Sequence, residues 1–308
     1  MIFFTQIAFL GTGLMGGPMA RRLLQAGYPL ALWNRTRSKA DAIKDPGGRV
    51  APTAFDALQG ADIVISMLEA GPVVGAVMQA AQANLKPGAL WIDMSSTKQS
   101  EAREFHALLQ AQGCGFMDAP VSGGVPGAEA GTLAIMAGGS AADFARVEAM
   151  LGVMGRATLV GPAGSGQVAK LCNQLIVGGT LNIVAEALLL AQAAGADPAA
   201  VRSAIRGGFA ESRILEVHGQ RMLERNFVPG GQVKSQLKDM HNILAAAATA
   251  GLTLPLAQLV TERYQSIAHV YPNADQCAAL LALERLNPGR RLGDAPDQLP
   301  RDTSGTRV

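Results

Sequence analysis

The stretch QIAFLGTGLMGGPMARRLLQAGYPLALWNRT, residues 6–36, decides the fold of the N-terminal half of the chain. It begins with a short apolar run, Ile7–Leu10, and continues with Gly11, Gly13 and Gly16 in the spacing GxGxxG. A helical pattern and a second apolar run follow. In this order of strand, turn, helix and strand, GxGxxG indicates a dinucleotide-binding βαβ unit, whereas the motif alone would be weak support.

Each glycine of the loop has a geometric role in such a unit. Gly11 permits the tight turn, Gly13 lets the backbone approach a pyrophosphate, and Gly16 allows close packing of the helix on the strand. The N-terminus of the helix presents unpaired N–H groups and the positive end of its dipole to the phosphates. Leu14 and Met15 complete the loop and are predicted to contact the cofactor with it. The alternative is that the glycines serve an ordinary turn between a strand and a helix.

The residues that follow the second strand indicate which cofactor binds. An NAD site usually has Asp or Glu there, about 20 residues beyond the glycines, to bind the ribose hydroxyls. This chain has Asn34, Arg35, Thr36 and Arg37 instead. A guanidinium and a hydroxyl hold a 2′-phosphate that a carboxylate would repel. The sequence therefore favours NADP(H) over NAD(H), and the alternative is a solvated arginine pair in a loop.

Strand and helix patterns alternate up to about residue 161. This alternation predicts an α/β, Rossmann-type domain with a mostly parallel, doubly wound sheet, which binds its ligands at the carboxyl ends of the strands. Leu68, Ser96 and the turn Ser122–Gly124 lie at such ends. The apolar residues before Ile7 are predicted to belong to the first strand and not to a signal peptide, because they lack a basic region.

The second half of the chain has an all-helical pattern. A long helix at 164–194 is predicted to join two domains, and further helices are predicted at 198–206, 211–225, 232–250, 255–270 and 274–286. We therefore expect an NADP-binding Rossmann-type domain at 1–163 and an all-α domain for substrate binding and oligomerisation at 164–286. Residues 287–308 are polar and rich in Pro and Gly, which predicts a disordered tail.

The composition excludes several classes of protein. Of the 308 residues, 49% are hydrophobic and 16% charged, and the net charge of +2 argues against a nucleic-acid partner. No uninterrupted apolar segment reaches the roughly 18 residues that a spanning helix needs, so no membrane partner is expected. The three cysteines and four histidines show no ligand spacing, which argues against a metal site and against a disulfide framework. A cytoplasmic, reducing location follows from the same cysteine usage.

Lys170 stands near the start of the long helix, in GSGQVAKLCNQ. Lys170, Asn173 and Gln174 are spaced i, i+3 and i+4, so they form one patch on that helix. Judged by the spacing alone, Lys170 is a solvated surface lysine.

Four motifs in this order resemble the β-hydroxyacid dehydrogenase family, which includes 3-hydroxyisobutyrate dehydrogenases and tartronate semialdehyde (2-hydroxy-3-oxopropionate) reductases. They are FLGTGLMGGPMARRLL at Phe9–Leu24, DAPVSGG at Asp118–Gly124, GSGQVAKLCNQ at Gly164–Gln174 and LKDM at Leu237–Met240. The resemblance covers about residues 5–286. The segment AIRGGFAESRILEVHGQRM is most similar to the tartronate semialdehyde reductase branch.

The resemblance implies roles for the residues of these motifs. Lys170 matches the catalytic lysine of the family. Ser122, Gly123 and Gly124 match a turn that holds the substrate carboxylate through the serine hydroxyl and backbone N–H groups. Asn173 matches an amide that positions the substrate. For the DAPVSGG segment, the alternative is a plain glycine turn.

The resemblance also bears on the cofactor. Lys238 and Asp239 match a pair that closes over the nicotinamide end and contacts both cofactor and substrate, with a surface ion pair as the alternative. Ser96 matches a residue beside the nicotinamide ribose. The segment Asn34–Thr36 is similar to NADPH-preferring members. One departure concerns the substrate, because the family usually has PGF where this chain has Pro229-Gly230-Gly231.

The resulting hypothesis is an NAD(P)H-dependent reductase of small carboxyl-bearing aldehydes, with Lys170 as the general acid that protonates the developing alkoxide. Oxidation of 3-hydroxyisobutyrate or a related β-hydroxyacid is the first alternative. An imine reductase is disfavoured because those relatives usually lack the lysine. A non-catalytic dinucleotide-binding regulator is the alternative from a different class. The family also implies a homodimer or a homotetramer.

Overall fold

The computed structural model describes residues 5–43 and 46–300. Two compact units divide the chain, Met1–Lys170 and Leu171–Val308. The first unit therefore includes the start of the long helix, whereas the sequence pattern placed the domain boundary at 163/164. The predictions for the N-terminal residues 1–4 and for the tail residues 301–308 lie outside the described residues.

The first unit contains one sheet, with nine strands among the described residues. The strand order is β3-β2-β1-β4-β5-β6-β8-β7, and β9 pairs with β8. All pairs from β3 to β6 are parallel, as is β8 with β9, whereas β8 runs antiparallel to β6 and β7. The strands are β1 (Ile7–Leu10), β2 (Leu30–Trp33), β3 (Gly48–Val50), β4 (Ile63–Ser66), β5 (Leu90–Asp93), β6 (Gly115–Asp118), β7 (Val121–Ser122), β8 (Leu133–Gly138) and β9 (Gly155–Gly161).

Helices of this unit cover both faces of the sheet. Ile7 and Phe9 of β1 belong to one buried apolar cluster, and the alternate residues Ala8 and Leu10 belong to another. Because successive strand residues point to opposite faces, each face has its own core. The helices are α1 (Gly16–Gln25), α2 (Arg37–Asp41), α3 (Ala54–Ala57), α4 (Gly71–Ala81), α5 (Gln99–Gln110), α6 (Gly124–Ala130) and α7 (Ala141–Gly152), with a 3₁₀ turn at Gln82–Asn84. The predicted doubly wound α/β domain is thereby confirmed.

The second unit is helical, as predicted. Its first helix is α8 (Ser165–Ala193), which begins in the first unit. Leu181, Ala185 and Leu188 of α8 are buried in the core of the second unit. By length and composition alone α8 could also cross a membrane, a test that the core helix of a soluble protein passes as well. The remaining helices are α9 (Pro198–Ala204), α10 (Arg213–Leu223), α11 (Val233–Thr249), α12 (Pro255–Ala268) and α13 (Ala279–Leu286), with a 3₁₀ turn at Gln276–Ala278.

Gly178 of α8 allows close packing within the second unit. A Cβ atom at this position would lie 2.6 Å from Nε2 of Gln236 and 3.2 Å from Sδ of Met240. Both of these residues belong to α11, so the glycine lets α11 approach α8 closely.

The structure of the segment 287–300 corrects the prediction of a disordered tail. Arg225, which is 1% exposed, donates to both carboxylate oxygens of Glu284 at 2.7 and 2.9 Å and also binds the carboxylate of Asp297. The same guanidinium donates to the carbonyl of Leu292, whose side chain is completely buried. A buried arginine needs such acceptors, and the polar segment supplies them. The expectation of disorder was therefore wrong for residues 287–300.

Candidate functional site

The glycine loop after β1 has the close contacts that its spacing predicts. Gly11 has φ +100°, and a Cβ there would clash with the backbone oxygen of Met67. A Cβ on Gly16 would clash with the backbone oxygen of Gly11. By contrast, a Cβ on Gly13 would meet nothing within 4 Å. Gly13, the position predicted to admit a pyrophosphate, is thus open. Gly11, predicted for the tight turn, and Gly16, predicted for helix packing, leave no room for a side chain.

Asn34, just beyond β2, is hydrogen-bonded both to the glycine loop and to the residues that follow β2. Its Oδ1 accepts a hydrogen bond from the Thr12 N–H at 3.0 Å, and its Nδ2 donates to the Thr36 carbonyl at 2.9 Å. An amide can do both, whereas a carboxylate cannot donate. Arg35 and Thr36 are exposed beside it, while the neighbouring Arg37 pairs with Asp41 in α2, with 3.5 Å between Nε and Oδ2.

An open groove beside Arg35 was not foreseen from the sequence. Its volume is about 680 Å³, and its walls combine apolar side chains with one guanidinium. Apolar walls with a few polar groups are typical of ligand-binding clefts. No local pattern in the sequence indicates this groove, because its walls come from three separate segments. They are Trp33, Arg35, Pro52, Thr53, Ala54, Phe55, Pro72, Val73, Ala76, Val77 and Ala80.

Asp118, at the end of β6, fixes the start of α8. Its Oδ1 accepts from the Gly164 N–H at 2.6 Å, and its Oδ2 accepts from the Gln167 N–H at 2.8 Å. The first N–H groups of a helix have no partner within the helix, and a carboxylate satisfies them while favouring the helix dipole. Burial raises the pKa of Asp118, and these N–H donors oppose that effect.

Gln167 ties the same turn of α8 to the loop after β5. Its Nε2 donates to the Ser95 carbonyl at 2.9 Å, and its Oε1 accepts from the Thr97 N–H at 3.0 Å. The hydroxyl of Ser95 accepts from the Leu68 N–H at 2.9 Å. The loops that carry the predicted cofactor residues Leu68 and Ser96 are therefore joined to each other and to α8.

Lys170 lies one turn further along α8. Its Nζ donates to the carbonyl of Val121 at 2.9 Å, and Val121 directly precedes Ser122. The ammonium group therefore lies beside the turn predicted to hold a carboxylate. It is partly buried, so the sequence alternative of a solvated surface lysine is not what the structure shows.

The turn Ser122–Gly124 has a backbone that favours glycine. Gly123 has φ +136° and Gly124 φ +63°, and α6 begins at Gly124. Ser122 is partly exposed and both glycines are exposed, so hydroxyl and backbone N–H groups are accessible at one point of the surface.

The predicted residues of the second unit form a separate polar cluster. Asn173 donates to Gln174 at 2.9 Å, and Gln174 donates to Oδ2 of Asp239 at 2.8 Å. Nζ of Lys238 lies 3.6 Å from Oδ1 of Asp239. Gln236 accepts from Gln174 and donates back to its carbonyl. Asp239 is buried, so the Lys238–Asp239 pair is not a simple surface ion pair. The sequence had not singled out Gln236.

Asp275 holds the turn that departs from the family pattern. Its Oδ2 accepts from the N–H groups of Gly230 and Gly231 at 2.8 and 3.2 Å. Burial raises the pKa of Asp275, but His218, backbone and side-chain donors of Cys277 and Arg221 lower it to about 2.

Asp275, His218 and Cys277 also place possible metal-ligand atoms within 4.8 Å of one another. The carboxylate already accepts three backbone N–H groups and lies 3.7 Å from Arg221, so this arrangement is a compensated ion-pair cluster.

Comparison with known proteins assigns both halves of the chain to one kind of enzyme. Residues 6–164 match the family described as the NAD binding domain of 6-phosphogluconate dehydrogenase. Residues 164–283 match the family described as NAD-binding of NADP-dependent 3-hydroxyisobutyrate dehydrogenase.

Individual relatives agree with these matches. A 2-hydroxy-3-oxopropionate reductase of Escherichia coli (strain K12) is 40% identical over 285 residues, which cover 91% of this chain and 97% of that protein. An NAD-dependent L-serine dehydrogenase of Pseudomonas aeruginosa is 35% identical over 271 residues, which cover 84% and 91%. The solved structure of Mycobacterium tuberculosis 3-hydroxyisobutyrate dehydrogenase with L-serine has a TM-score of 0.84 and 32% identity, and the match covers 91% of this chain and 99% of that one. The chain therefore belongs to the β-hydroxyacid dehydrogenase family in its 3-hydroxyisobutyrate dehydrogenase-like form, and it is an NAD(P)-dependent oxidoreductase that acts on hydroxyl groups.

Proposed function

We propose that this enzyme reduces small carboxyl-bearing aldehydes, with 2-hydroxy-3-oxopropionate (tartronate semialdehyde) as the foremost substrate. The observation that carries the proposal is the position of Lys170, whose Nζ lies 2.9 Å from the carbonyl that precedes the Ser122–Gly124 turn. A proton donor and a carboxylate-binding turn are thereby neighbours. The 40% identity to a 2-hydroxy-3-oxopropionate reductase supports the choice of substrate.

Each of these groups has a chemical task in the proposed reaction. The Ser122 hydroxyl and the backbone N–H groups of Gly123 and Gly124 bind the substrate carboxylate, which fixes the direction of the aldehyde. The Lys170 ammonium stabilises the charge that develops on the aldehyde oxygen and donates a proton to it. The bound nicotinamide supplies the hydride. In the second unit, Asn173 donates to Gln174 and Lys238 pairs with Asp239, and for these residues we keep the roles that the family resemblance implies.

Each part of the cofactor has residues that are proposed to contact it. The open space at Gly13 admits the pyrophosphate, which Leu14, Met15 and the N-terminus of α1 then contact. Arg35 and Thr36 hold the 2′-phosphate of NADP(H), beside the groove that receives the adenosine. Leu68 and Ser96 contact the nicotinamide end from the loops that Ser95 joins. Use of NADP(H) in preference to NAD(H) is therefore part of the proposal.

A second candidate is oxidation of a β-hydroxyacid, such as 3-hydroxyisobutyrate or L-serine. It is favoured by the 35% identity to an L-serine dehydrogenase and by the 3-hydroxyisobutyrate dehydrogenase structure, which contains L-serine. Gly231 stands in place of the family's usual phenylalanine, and a Cβ there would meet the Gln276 side chain at 3.3 Å.

A substrate panel decides between these candidates. We expect the highest kcat/KM for tartronate semialdehyde with NADPH, measured by loss of nicotinamide absorbance and compared with succinic and methylmalonate semialdehydes and glyoxylate. The reverse reaction is measured with 3-hydroxyisobutyrate and L-serine. A higher kcat/KM for either hydroxyacid makes the second candidate correct. Absence of turnover of every compound with either cofactor rejects both.

The role of Lys170 is tested by Lys170→Ala and Lys170→Arg. Removal of a general acid lowers kcat about 10²- to 10⁴-fold, and we expect a loss in this range while the dissociation constant of NADPH stays unchanged. Lys170→Arg keeps the charge but donates a proton poorly, so it should also lose most activity. The matched control is Lys234→Ala, since Lys234 is exposed and binds Asn273 in the second unit. If Lys170→Ala loses NADPH binding, the lysine is structural instead.

The cofactor preference is tested by Arg35→Ala. A charge-assisted hydrogen bond contributes about 1.5–3 kcal/mol, so KM for NADPH should rise about 10- to 100-fold while KM for NADH is unchanged. Arg37→Ala is the matched control, because Arg37 is engaged by Asp41. Equal effects of Arg35→Ala on both cofactors would reject the assignment of Arg35 to the 2′-phosphate.

We further propose that the enzyme is a homo-oligomer, a dimer or a tetramer, that uses α8. Ile176, Ile183 and Leu190 are 67%, 63% and 68% exposed. Their spacing of seven residues places them on one helix face, the pattern by which two helices pack together. Light scattering should give the mass of two or four chains, and Ile183→Asp should lower it. The mass of a single chain at micromolar concentration would contradict this proposal.

A further inference from the structure

Asp93, the last residue of β5, is a buried carboxyl group that the proposed chemistry does not use. It has no exposed surface. In the sheet it lies in register between Ser66 of β4 and Asp118 of β6. Residues in register on neighbouring parallel strands point to the same face of the sheet. Asp93 and Asp118 are thus two adjacent carboxyl groups at the edge where the cofactor loops begin.

The two oxygens of Asp93 have different surroundings. Oδ1 accepts from the Ser66 hydroxyl at 2.8 Å and from the Ser95 N–H at 3.2 Å. The Ser66 oxygen itself accepts from Nε1 of Trp91 at 2.9 Å, so the one proton of Ser66 points to Asp93. Oδ2 is buried and has no hydrogen-bond partner among the described residues.

Asp118 has the opposite arrangement, because each of its oxygens accepts a backbone N–H of the first turn of α8. Such donors stabilise a carboxylate, whereas two adjacent buried carboxylates disfavour each other. The donors on both of its oxygens therefore make Asp118 the member of the pair that ionises first, and Asp93 the member that gains a charge at higher pH. Burial raises the pKa of Asp93 to about 7, hydrogen bonds from Ser95 and Ser66 oppose this, and the charge of Asp118 adds to it.

Ser95 connects Asp93 to the loops that carry the predicted cofactor residues. Its N–H donates to Asp93, its hydroxyl accepts from the Leu68 N–H, and its carbonyl accepts from Gln167 of α8. The ionisable group that faces Asp93 is Asp118, while Ser66, Ser95 and Trp91 are neutral. A second negative charge at Asp93 would repel Asp118 and the phosphates of an arriving dinucleotide.

We propose that Asp93 is a positioning residue for the dinucleotide: its carboxyl accepts from Ser95 and through Ser95 holds the loop of Leu68 in the geometry that receives the cofactor, while ionisation of Asp93 weakens cofactor binding because it adds a negative charge at this edge of the sheet. The inference rests on the dinucleotide binding in the proposed function and is independent of the substrate. A missing activity in the substrate panel would therefore leave it standing.

The test is Asp93→Asn, which keeps an acceptor for Ser66 and Ser95 but has no charge to gain. The dissociation constant of NADPH is measured by fluorescence from pH 6 to pH 9 for both proteins. The 2′-phosphate of NADPH also titrates, so the informative quantity is the ratio of the wild-type to the Asp93→Asn constant. We expect this ratio to be near one at pH 6 and to rise about fivefold by pH 9.

Asp143→Asn is the matched control, because it makes the same chemical change at the partly exposed start of α7, where Asp143 pairs with Arg146. It should follow the wild-type pH profile. A ratio for Asp93→Asn that stays constant with pH overturns the inference. Weak binding by Asp93→Asn already at pH 6 also overturns it, because a neutral amide would then fail to replace the neutral carboxyl.

A measurement on the wild-type protein does not depend on the variant folding. If binding favours neutral Asp93, cofactor binding near pH 7.5 takes up protons. Calorimetry in two buffers of different ionisation enthalpy measures this uptake, with NADH as the ligand because it has no 2′-phosphate. Absence of uptake, or release, overturns the inference.

The thermal stability should also depend on pH, over a lower pH range than the NADPH affinity. The pKa of Asp93 is raised from 3.8 to about 7 in the folded protein, so unfolding releases its proton between these values. Its contribution to stability is complete below about pH 4, falls as the pH rises to about 7 and is constant above. The Tm of the wild type relative to Asp93→Asn should fall across that window, whereas the change in NADPH affinity lies above it. If Asp93 had only a structural role, the Tm would change between about pH 4 and pH 7, but the NADPH affinity would not change above that range.

Discussion

The carboxylate of Asp118, which holds the first turn of α8, is the interaction on which the site in the first unit depends. Hydrogen bonds to a charged group contribute about 1.5–3 kcal/mol each, and Asp118 accepts one from Gly164 and one from Gln167. A Cβ on Gly138 or Gly166 would lie against Asp118 or the helix start, so the glycines make this approach possible. Because Lys170 follows one turn later, the same contact sets where its ammonium group lies. The position of Lys170 is thus determined by the end of a strand 52 residues earlier in the chain.

The neighbouring loops are fixed by the same helix turn. Gln167 binds the Ser95 carbonyl and the Thr97 N–H, and Ser95 in turn binds the Leu68 N–H. The ends of β4, β5 and β6 and the start of α8 therefore form one hydrogen-bonded network. A site works best when its polar groups are held by a supporting set of contacts on regular elements. Leu68 and the loop that contains Ser96 are held in this way, and Lys170 follows on the helix whose first turn takes part in the network.

The sequence predicted the parts of this arrangement that depend on local spacing. The glycine loop, the alternation of strands and helices, the extent of α8 and the patch containing Lys170 all follow from residues within a few turns of each other. What the sequence did not predict depends on pairs that are distant in the chain. Asp118 is 49 residues from Gln167, and Arg225, which orders the polar segment 287–300, is 72 residues from Asp297. A pattern rich in Pro and Gly indicates the absence of regular structure, but it does not tell whether a buried arginine needs the acceptors that the pattern contains.

Asp93 and Asp118 lie at a sheet edge with two opposing electrostatic requirements. The start of α8 requires an acceptor for its unpaired N–H groups, and a carboxylate is a strong one. The ligands proposed for the same edge, a dinucleotide and a carboxyl-bearing aldehyde, are both anionic, so every negative charge that the protein places there opposes them. Asp118 has its charge compensated by the backbone of α8, and burial raises the pKa of Asp93 to about 7, so Asp93 adds no second charge at lower pH. An edge with two carboxyl groups can thus carry a single, compensated charge, and this arrangement makes the protonation of Asp93 a property of cofactor binding as well as of the fold.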